Sequence, residues 1–394
     1  MSDIVLAAGA RTPFGDFGKS LRDIPLTDLG VHAAKASLKR SGLRADDVDH
    51  LVFGSVMFPD RDSLFGGRVI GVKIGLPEEA AALNVSRACG TGLQALISAS
   101  QQIKEGQSSI ALAGGGESFS RAPHVVTTAR YGTKRGPMAL EDQLDWAYRC
   151  PFDQQYMGGT AENLADDFQY AREPMDEWGY MSQQRAGAAI KFGFLARQIV
   201  PIDVPDGRGT RAFAIDEFPR PDVTREKLQK LKPAFREGGR VTAGSSSGVT
   251  DGAAFMIVAD RAQADAKGLV PEARLVDWTA VGVPPRIMGS GPVPAIAKLL
   301  KRNDLAVSDI DYFEINEAFA VVNLHAEKQL GIPRDRTNLY GGGISIGHPP
   351  GATGVRMTIT AMHHLQDAGG RYGVISMCLG GGQGMAMLIE NVRR

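Results

Sequence analysis

The chain has 394 residues, equal numbers of acidic and basic side chains, and no formal net charge at pH 7. Its length predicts one large or two ordinary domains, and its dispersed basic residues argue against a nucleic-acid groove or a polybasic membrane patch. No apolar run reaches the roughly 20 residues that a membrane helix needs. We therefore expect neither a nucleic-acid nor a membrane partner.

The three cysteines, Cys89, Cys150 and Cys378, are an odd number and lie far apart in the sequence. This argues against a disulfide framework and favours a reducing compartment. None has the spacing of a metal ligand, so no metal site is predicted. The chain enters a strand-like run at residues 4–8 without the apolar stretch of a secretory signal, and we expect a cytoplasmic protein.

Strand-like and helical patterns alternate along the first 118 residues. Strands are predicted at residues 4–8, 48–56, 80–85 and 110–113, and helices at 27–38 and from Cys89 to about Lys104. The first helix should end near Gly42, and the strand at 110–113 should stop at the glycine run that begins with Gly114. The alternation predicts an α/β fold with a mixed sheet covered by helices on both faces.

Residues 119–248 differ in composition from the rest of the chain. Proline, arginine, glycine and aromatic residues are frequent there, and helical pieces at 161–168 and 175–191 alternate with loops. The segment is too long for a simple connection. We interpret it as an inserted loop domain that covers a site, supplies oligomer contacts, or both. Core-like sequence returns at 249–259.

Two short segments repeat at a common offset of 262 residues. Residues 43–50 resemble residues 305–312, and Thr91-Gly92 aligns with Thr353-Gly354. The common offset favours an internal duplication, with chance matching of short motifs as the alternative. If the halves are duplicates, the turns that open the two helices are counterparts. They then face a single cleft, because ligands favour the helix N-terminal edge of such sheets.

These boundaries divide the chain into three parts. The predicted N-terminal core half comprises residues 1–118 plus 249–271, the loop domain comprises 119–248, and the C-terminal core half comprises 272–394.

Cys89 lies between a strand and a helix, with the small residues Ala88, Gly90 and Gly92 around it. The helix dipole and unpaired backbone N–H groups at a helix start favour the thiolate form. A reactive cysteine is therefore one interpretation, and a small buried apolar residue is the other. Cys150 has no comparable setting and is expected to be inert.

His348 lies in a second glycine-rich stretch, before two prolines that pre-set the backbone where a helix begins. It suits a general base or an oxyanion donor, or it only orders the turn. Cys378 follows a strand at 373–376 and precedes three glycines and a strand at 385–389, which fits either a reactive thiol or an ordinary hairpin. Asn316 is either an N-cap or an amide that holds a water or a carbonyl oxygen.

Together these motifs resemble those of the thiolases, which condense or cleave acyl thioesters of coenzyme A. The resemblance covers nearly the whole chain and rests on Cys-Gly-Thr-Gly-Leu-Gln-Ala from Cys89, Asn-Glu-Ala-Phe from Asn316, Gly-Gly-Gly-Ile-Ser-Ile-Gly-His-Pro-Pro-Gly-Ala-Thr-Gly from Gly341, and Cys-Leu-Gly-Gly-Gly-Gln-Gly from Cys378. Weaker matches lie at 114–123, 157–163 and 242–248. The resemblance implies a duplicated α/β core with an inserted loop domain, assembled as a homodimer or homotetramer.

The resemblance also implies the chemistry. Cys89, activated by His348, would form an acyl-enzyme, and Cys378 would remove or return the α-proton of acetyl-CoA. A thiol suits this task because N–H donors can tune its pKa towards neutrality. One oxyanion would be met by His348 and a water held by Asn316, and the other by the backbone N–H groups of Cys89 and Gly380.

Coenzyme A is implied as a co-substrate, together with acyl-CoA and acetyl-CoA, and no permanently bound cofactor is expected. The resemblance assigns the contacts along the loop domain as follows: Met157 closing the acyl pocket, Arg220 near the nucleotide phosphates, and Phe235, Ala243, Ser247, Ala318 and Phe319 lining the pantetheine path.

The sequence departs from the family pattern at three places. Tyr156 stands where many short-chain biosynthetic thiolases have histidine, Ser245-Ser246-Ser247-Gly248 replaces Asn-Ala-Ser-Gly, and Pro350 follows the His-Pro pair. None removes a catalytic group, but together they leave the acyl-chain preference open.

We expect an acyltransferase of fatty acid metabolism that catalyses 3-ketoacyl-CoA thiolysis, as in β-oxidation, or the reverse Claisen condensation. One rival is a decarboxylating ketoacyl synthase, which needs no cysteine base and is therefore disfavoured by Cys378 beside His348. The other rival is a catalytically silent acyl-CoA- or lipid-binding relative, which would be expected to lack one of these groups. Chain length and physiological direction stay open.

Overall fold

The structure is a computed structural model, and it describes residues 3–393. In that range the strands are β1 Ile4–Arg11, β2 Gly15–Asp16, β3 His50–Gly54, β4 Ala81–Val85, β5 Ile110–Glu117, β6 His124–Val125, β7 Glu141–Asp142, β8 Ile202–Asp206, β9 Gly209–Phe213, β10 Thr250–Asp260, β11 Ala273–Gly282, β12 Tyr312–Ile315, β13 Tyr372–Leu379 and β14 Gln383–Asn391.

The α-helices of the same range are α1 Leu26–Ser41, α2 Gly66–Ile74, α3 Thr91–Lys104, α4 Gln143–Ala147, α5 Met157–Asp167, α6 Arg172–Lys191, α7 Arg225–Gln229, α8 Arg261–Ala266, α9 Pro292–Arg302, α10 Ala320–Leu330, α11 Gly343–Ile346 and α12 Pro350–Ala368. None of them is both long and apolar enough to cross a membrane.

The main sheet is mixed, as the sequence predicts. Its strands run in the order β12-β13-β14-β11-β1-β10-β5-β3-β4, with β2 beside β10. Strand β3 is parallel to β4 and β5, whereas β1 is antiparallel to β10 and β11. Alternate residues of one strand belong to different core clusters: Leu6 packs with α3 and α12, and Val5 packs with α1. The sheet is therefore covered by helices on both faces.

The duplication is visible in the element boundaries. Strand β13 begins and ends 262 residues after β5. The same offset relates the short 3₁₀ helices Ala45–Asp47 and Val307–Asp309. The two halves are α/β repeats that share one sheet, although β4 of the first half has no strand counterpart among the described residues of the second.

Helices α3 and α12 are the counterpart helices of the two halves, and they cross closely at their N-terminal ends. A Cβ atom on Gly92 would lie 2.8 Å from the carbonyl oxygen of Gly351, and one on Gly354 would lie 2.3 Å from the backbone nitrogen of Leu93. Side chains larger than hydrogen would push the two backbones apart. This contact brings the turns before both helices to the same place.

Strand β5 is longer than predicted. The expectation that it stops at Gly114 was wrong, because it continues through the glycines to Glu117. A Cβ on Gly114 would lie 2.1 Å from Ala254 O, and one on Gly115 would lie 2.2 Å from Gly54 O. The glycines therefore allow close packing of the strand and do not end it.

Two helix ends test the capping predictions. Helix α1 ends at Gly42 in the left-handed conformation, with φ of 74°, which confirms the predicted stop. Helix α10 begins at Ala320 with Phe319 at its N-cap. The interpretation of Asn316 as an N-cap was therefore wrong.

The segment between β5 and β10 leaves the sheet and returns to it. It carries β6 to β9 and α4 to α7, and its two longest helices begin earlier than predicted, at Met157 and Arg172. Asp216 in this segment forms a fully buried ion pair with Arg11 of β1, at 2.6 Å. The exact domain boundaries stay a prediction.

The helix crossing gives the first test. We expect Gly354→Ala to lower the free energy of unfolding by about 1–3 kcal/mol, because the added methyl group meets backbone atoms that cannot yield. This outweighs the roughly 1 kcal/mol that alanine contributes to helix propensity. Denaturant unfolding of the purified variant measures the change.

Gly71→Ala is the matched control. A Cβ there would be 3.5 Å from Leu76 Cδ1, an ordinary contact. We expect this helical variant to be at least as stable as the original protein, and equal effects of the two substitutions would contradict the close crossing.

Candidate active site

A cavity of about 300 Å³ lies at the N-terminal ends of α3 and α12. Its walls include seven of the residues singled out from the sequence: Cys89, Met157, Ser247, Ala318, Phe319, His348 and Gly380. Cys89 and His348, which come from different halves of the chain, thus share one cavity.

The remaining predicted contacts lie in two further cavities. Phe235 and Tyr156 line a cavity of about 320 Å³ that shares Met157, Ser247 and Phe319 with the first. Ala243 and Arg220 lie together in a separate cavity of about 190 Å³. The Arg220 guanidinium donates hydrogen bonds to nearby backbone carbonyls, including that of Glu217 at 2.9 Å, and to Asp16 at 3.2 Å.

The turn that holds Cys89 is tightly specified. Ala88 has φ of 43°, in the left-handed region that residues other than glycine rarely occupy. The hydroxyl of Thr91 accepts from Arg87 N at 2.8 Å and donates to Ala88 O at 2.7 Å, which closes the turn. This backbone conformation is energetically unfavourable, and such conformations cluster at functional sites. Here it sets the position of the thiol.

The acidity of the two thiols differs from the sequence-based expectation. Burial raises the pKa of Cys89, and the backbone N–H groups of Gly380 and of Cys89 itself oppose the rise without reversing it. Burial and the neighbouring Cys89 also raise the pKa of Cys378. The donors therefore act in the predicted direction, but desolvation exceeds their effect on Cys89.

His348 is held by a short chain of hydrogen bonds. Its Nδ1 lies 2.8 Å from Thr353 Oγ1, and that hydroxyl donates to Pro349 O at 2.9 Å. Since the hydroxyl proton is used in this way, we assign the ring proton to Nδ1. The unprotonated Nε2 then faces Asn316 Nδ2 at 3.3 Å.

The same imidazole is neutral. Burial, followed by the positive charge of Arg356, lowers the pKa of His348 to about 3. Arg356 is itself fully buried and pairs with Glu314. A neutral imidazole can take a proton at Nε2 from a neighbouring thiol when the hydrogen bond from Asn316 Nδ2 is released.

Cys378 and Asn316 lie next to the cavity wall. Both are buried, at the ends of β13 and β12. Among the residues that the structure describes, the Asn316 side-chain oxygen has no hydrogen-bond partner. A buried amide oxygen without a partner is suited to hold a water or a ligand donor.

Sequence reasoning missed several groups around the site. Glu117 was noted only as part of a weak motif, Thr353 only as a member of the repeat and of the motif from Gly341, and Arg356 not at all. Tyr148 also lines the cavity. No local pattern distinguishes these residues, because their contacts come from other elements.

Comparisons with known proteins agree along the whole chain. The family model of the thiolase N-terminal domain matches residues 4–262, and that of the thiolase C-terminal domain matches residues 269–391. The chain is 43% identical over 391 residues to beta-ketothiolase BktB of Cupriavidus necator, covering 99% of each.

Solved structures give the same result. The crystal structure of human mitochondrial 3-ketoacyl-CoA thiolase is 40% identical, with a TM-score of 0.97 over 99% of each chain. A crystal structure of that human protein in complex with CoA has a TM-score of 0.96, over 99% of this chain and 98% of the other.

The neutral His348 leads to a pH-dependent prediction. Its pKa is lower in the folded than in the unfolded chain, so the unfolded chain binds the extra proton and stability is lost as the pH falls below about 6.5. We expect the original protein to lose about 2 kcal/mol more unfolding free energy than His348→Asn between pH 8 and pH 5. Urea unfolding at both pH values measures it, and equal losses in the two proteins would contradict a buried neutral imidazole.

Proposed function

The chain belongs to the thiolase family, and from that premise we propose which of its residues carry out the thiolase reaction. Thiolases transfer an acyl group between CoA and acetyl-CoA, by thiolysis of a 3-ketoacyl-CoA or by Claisen condensation, and this chain fits that function. It is an acyltransferase that uses CoA substrates.

In the first half-reaction Cys89 is the nucleophile. Its Sγ attacks the thioester carbonyl while its proton passes to His348 Nε2, and the carbonyl carbon–sulfur bond to CoA then breaks. Cys378 donates its thiol proton to the departing CoA sulfur, which leaves Cys378 as a thiolate and His348 protonated. The neutral state of His348 supports this role, and the high pKa of the Cys89 thiol makes proton removal by a base necessary.

In the second half-reaction Cys378 is the acid–base. The Cys378 thiolate takes a proton from the α-carbon of acetyl-CoA, and the resulting carbanion attacks the acyl carbonyl on Cys89. The bond between that carbon and Cys89 Sγ breaks, and the sulfur takes the proton held by His348. In thiolysis the same steps run backwards, with Cys378 returning the proton. Cys378 lies two residues before Gly380, whose N–H donates to the Cys89 sulfur, and this position supports the assignment.

Two sets of donors would stabilise the oxyanions. The N–H groups of Cys89 and Gly380 serve the tetrahedral intermediate on Cys89, each donor being worth about 3 kcal/mol of barrier. His348, once protonated, and a water on the partnerless oxygen of Asn316 serve the enolate of acetyl-CoA. The observation that carries the proposal is the meeting of Cys89 and His348, from opposite halves, in one cavity.

CoA would enter through the cavities lined by the loop domain. The human relative crystallised with CoA supports a bound CoA. In this proposal the nucleotide phosphates lie near Arg220. The pantetheine path is lined by Phe235, Ala243, Ser247, Ala318 and Phe319.

The acyl chain would occupy the apolar end of the first cavity. Trp146, Tyr148, Met157 and Met288 line it and offer apolar contacts to an acyl chain. The Tyr156 hydroxyl accepts from Arg149 and donates to Asp145, both at 2.7 Å, and so ties the wall between α4 and α5 together.

In a homodimer, the exposed edge of β4 in one copy would pair with the same edge in the second copy. This strand has a partner only on its β3 side. Its Leu83 is 37% exposed, and the Leu64-Phe65 turn beside it is 58% and 65% exposed. Asn84 Nδ2 donates to Leu64 O at 3.0 Å, which places this turn against the strand. An open apolar edge of this kind favours pairing with a second copy.

The cytoplasmic location stays a prediction.

The cysteines test the chemistry. We expect Cys89→Ala and Cys378→Ala each to lower kcat for CoA-dependent cleavage of 3-ketoacyl-CoA substrates, from four carbons upward, by at least about 10³-fold. Acyl-CoA should add an acyl mass to Cys378→Ala but not to Cys89→Ala. Cys150→Ala, which removes a buried cysteine outside the cavity, is the control and should retain activity. Retained thiolysis in Cys89→Ala would contradict the mechanism.

The open edge tests the assembly. We expect light scattering to give at least twice the mass of one chain, and Leu83→Lys to shift the protein towards the monomer because the charge is buried on pairing. Val270→Lys introduces the same charge at a position that is 62% exposed on another surface. A monomeric original protein, or equal dissociation by both variants, would rule out this interface.

A further inference from the structure

Glu117, the last residue of β5, is a fully buried carboxylate beside the active-site cavity. Its Oε1 accepts from Ser55 Oγ at 2.8 Å and from Met57 N at 2.9 Å. Val56 N donates to both oxygens at 3.2 Å, and Gly351 N donates to Oε2 at 3.1 Å. All of these donors lie outside its own strand.

The donors belong to segments that form the site. Gly351 is in the first turn of α12, three residues after His348. Val56 lines the same cavity as Cys89. The carboxylate therefore joins a wall of the N-terminal half to the histidine turn of the C-terminal half.

We propose that Glu117 is a positioning residue for the thiolase reaction, holding the His348 turn and the Val56 wall in register with Cys89. This rests on the roles proposed above for Cys89 and His348. Misplacement by about 1 Å of a group that transfers a proton can lower the rate by roughly 10²-fold. A carboxylate with several N–H donors fixes geometry more firmly than a single neutral hydrogen bond.

The charge of Glu117 also acts on the nucleophile. Burial raises the pKa of Glu117 to about 7, and its donors oppose the rise. Its negative charge contributes to the raised pKa of Cys89. Tyr148 is a titratable group close to Glu117, and Asp251 lies on β10, which pairs with β5. His348 lies three residues before Gly351, which donates to Glu117. Removing the charge should therefore make the Cys89 thiol more acidic.

Two substitutions separate position from charge. Glu117→Gln keeps the size and removes the charge, and its amide group cannot accept from all of the donors. We expect kcat for thiolysis to fall about 10- to 100-fold with KM changed less than about threefold. The pH midpoint of Cys89 alkylation by iodoacetamide, followed by peptide mass spectrometry, should shift downwards.

Glu117→Asp keeps the charge but shortens the reach to Gly351. We expect kcat to fall while the alkylation midpoint stays near that of the original protein. If Glu117→Gln does not fold, the test rests on Glu117→Asp. An unchanged kcat for thiolysis in Glu117→Asp overturns the proposal.

Glu162→Gln is the control for simple loss of a buried carboxylate. Glu162 is also fully buried and accepts from backbone N–H groups, those of Arg240 and Val241 at 2.8 Å, but it does not line the cavity with Cys89. In Glu162→Gln the pH midpoint of Cys89 alkylation should stay at the value of the original protein. An unchanged kcat and midpoint in Glu117→Gln, or the same shift in Glu162→Gln, would overturn the proposal. Alkylation of Cys89 needs no thiolase turnover, so this result is independent of whether the proposed mechanism holds.

Discussion

The structure depends on the close backbone crossing of α3 and α12. Gly92 and Gly354 leave no room between the two helices, so the turns that precede them must lie side by side. Each turn belongs to a different half, and each carries one reactive side chain, Cys89 or His348. A cavity assembled in this way is shared by the halves and belongs to neither of them alone. Internal duplication thus supplies two similar helix N-termini, and their contact turns them into one site.

Burial around this crossing sets the protonation states. Desolvation raises the pKa of both thiols and lowers that of His348, so the resting groups are neutral. A neutral thiol beside a neutral imidazole must exchange its proton during the reaction, when the substrate and the backbone donors are in place. The chain of hydrogen bonds through Thr353 matters for this reason, because it leaves Nε2 as the atom able to accept the proton. The backbone N–H donors at Cys89 lower its pKa by less than desolvation raises it.

The inserted segment gives the site its apolar walls and its connection to the core. Met157, at the start of α5, lines the cavities of about 300 and 320 Å³, and Met157 N donates to Tyr148 O at 2.8 Å. The buried Arg11–Asp216 ion pair anchors the segment to the first strand. Breaking such a buried pair leaves an uncompensated charge, so the anchor keeps the segment in one position. Variation in the walls can then change acyl preference without altering the two catalytic turns.

The sequence alone determined the mixed α/β class, the repeat at 262 residues, the glycine-rich turns of Cys89, His348 and Cys378, and the thiolase resemblance. These follow from local patterns, since periodicity, glycine runs and motif spacing are properties of short segments. Only the tertiary structure decided that β5 continues through its glycines, that Asn316 contacts His348 and caps no helix, that the thiols are less acidic than a helix start suggests, and that Glu117 joins the two halves. Each of these depends on atoms distant in sequence: a facing backbone fills the space beside a glycine, and burial by other elements sets the balance between desolvation and hydrogen bonding.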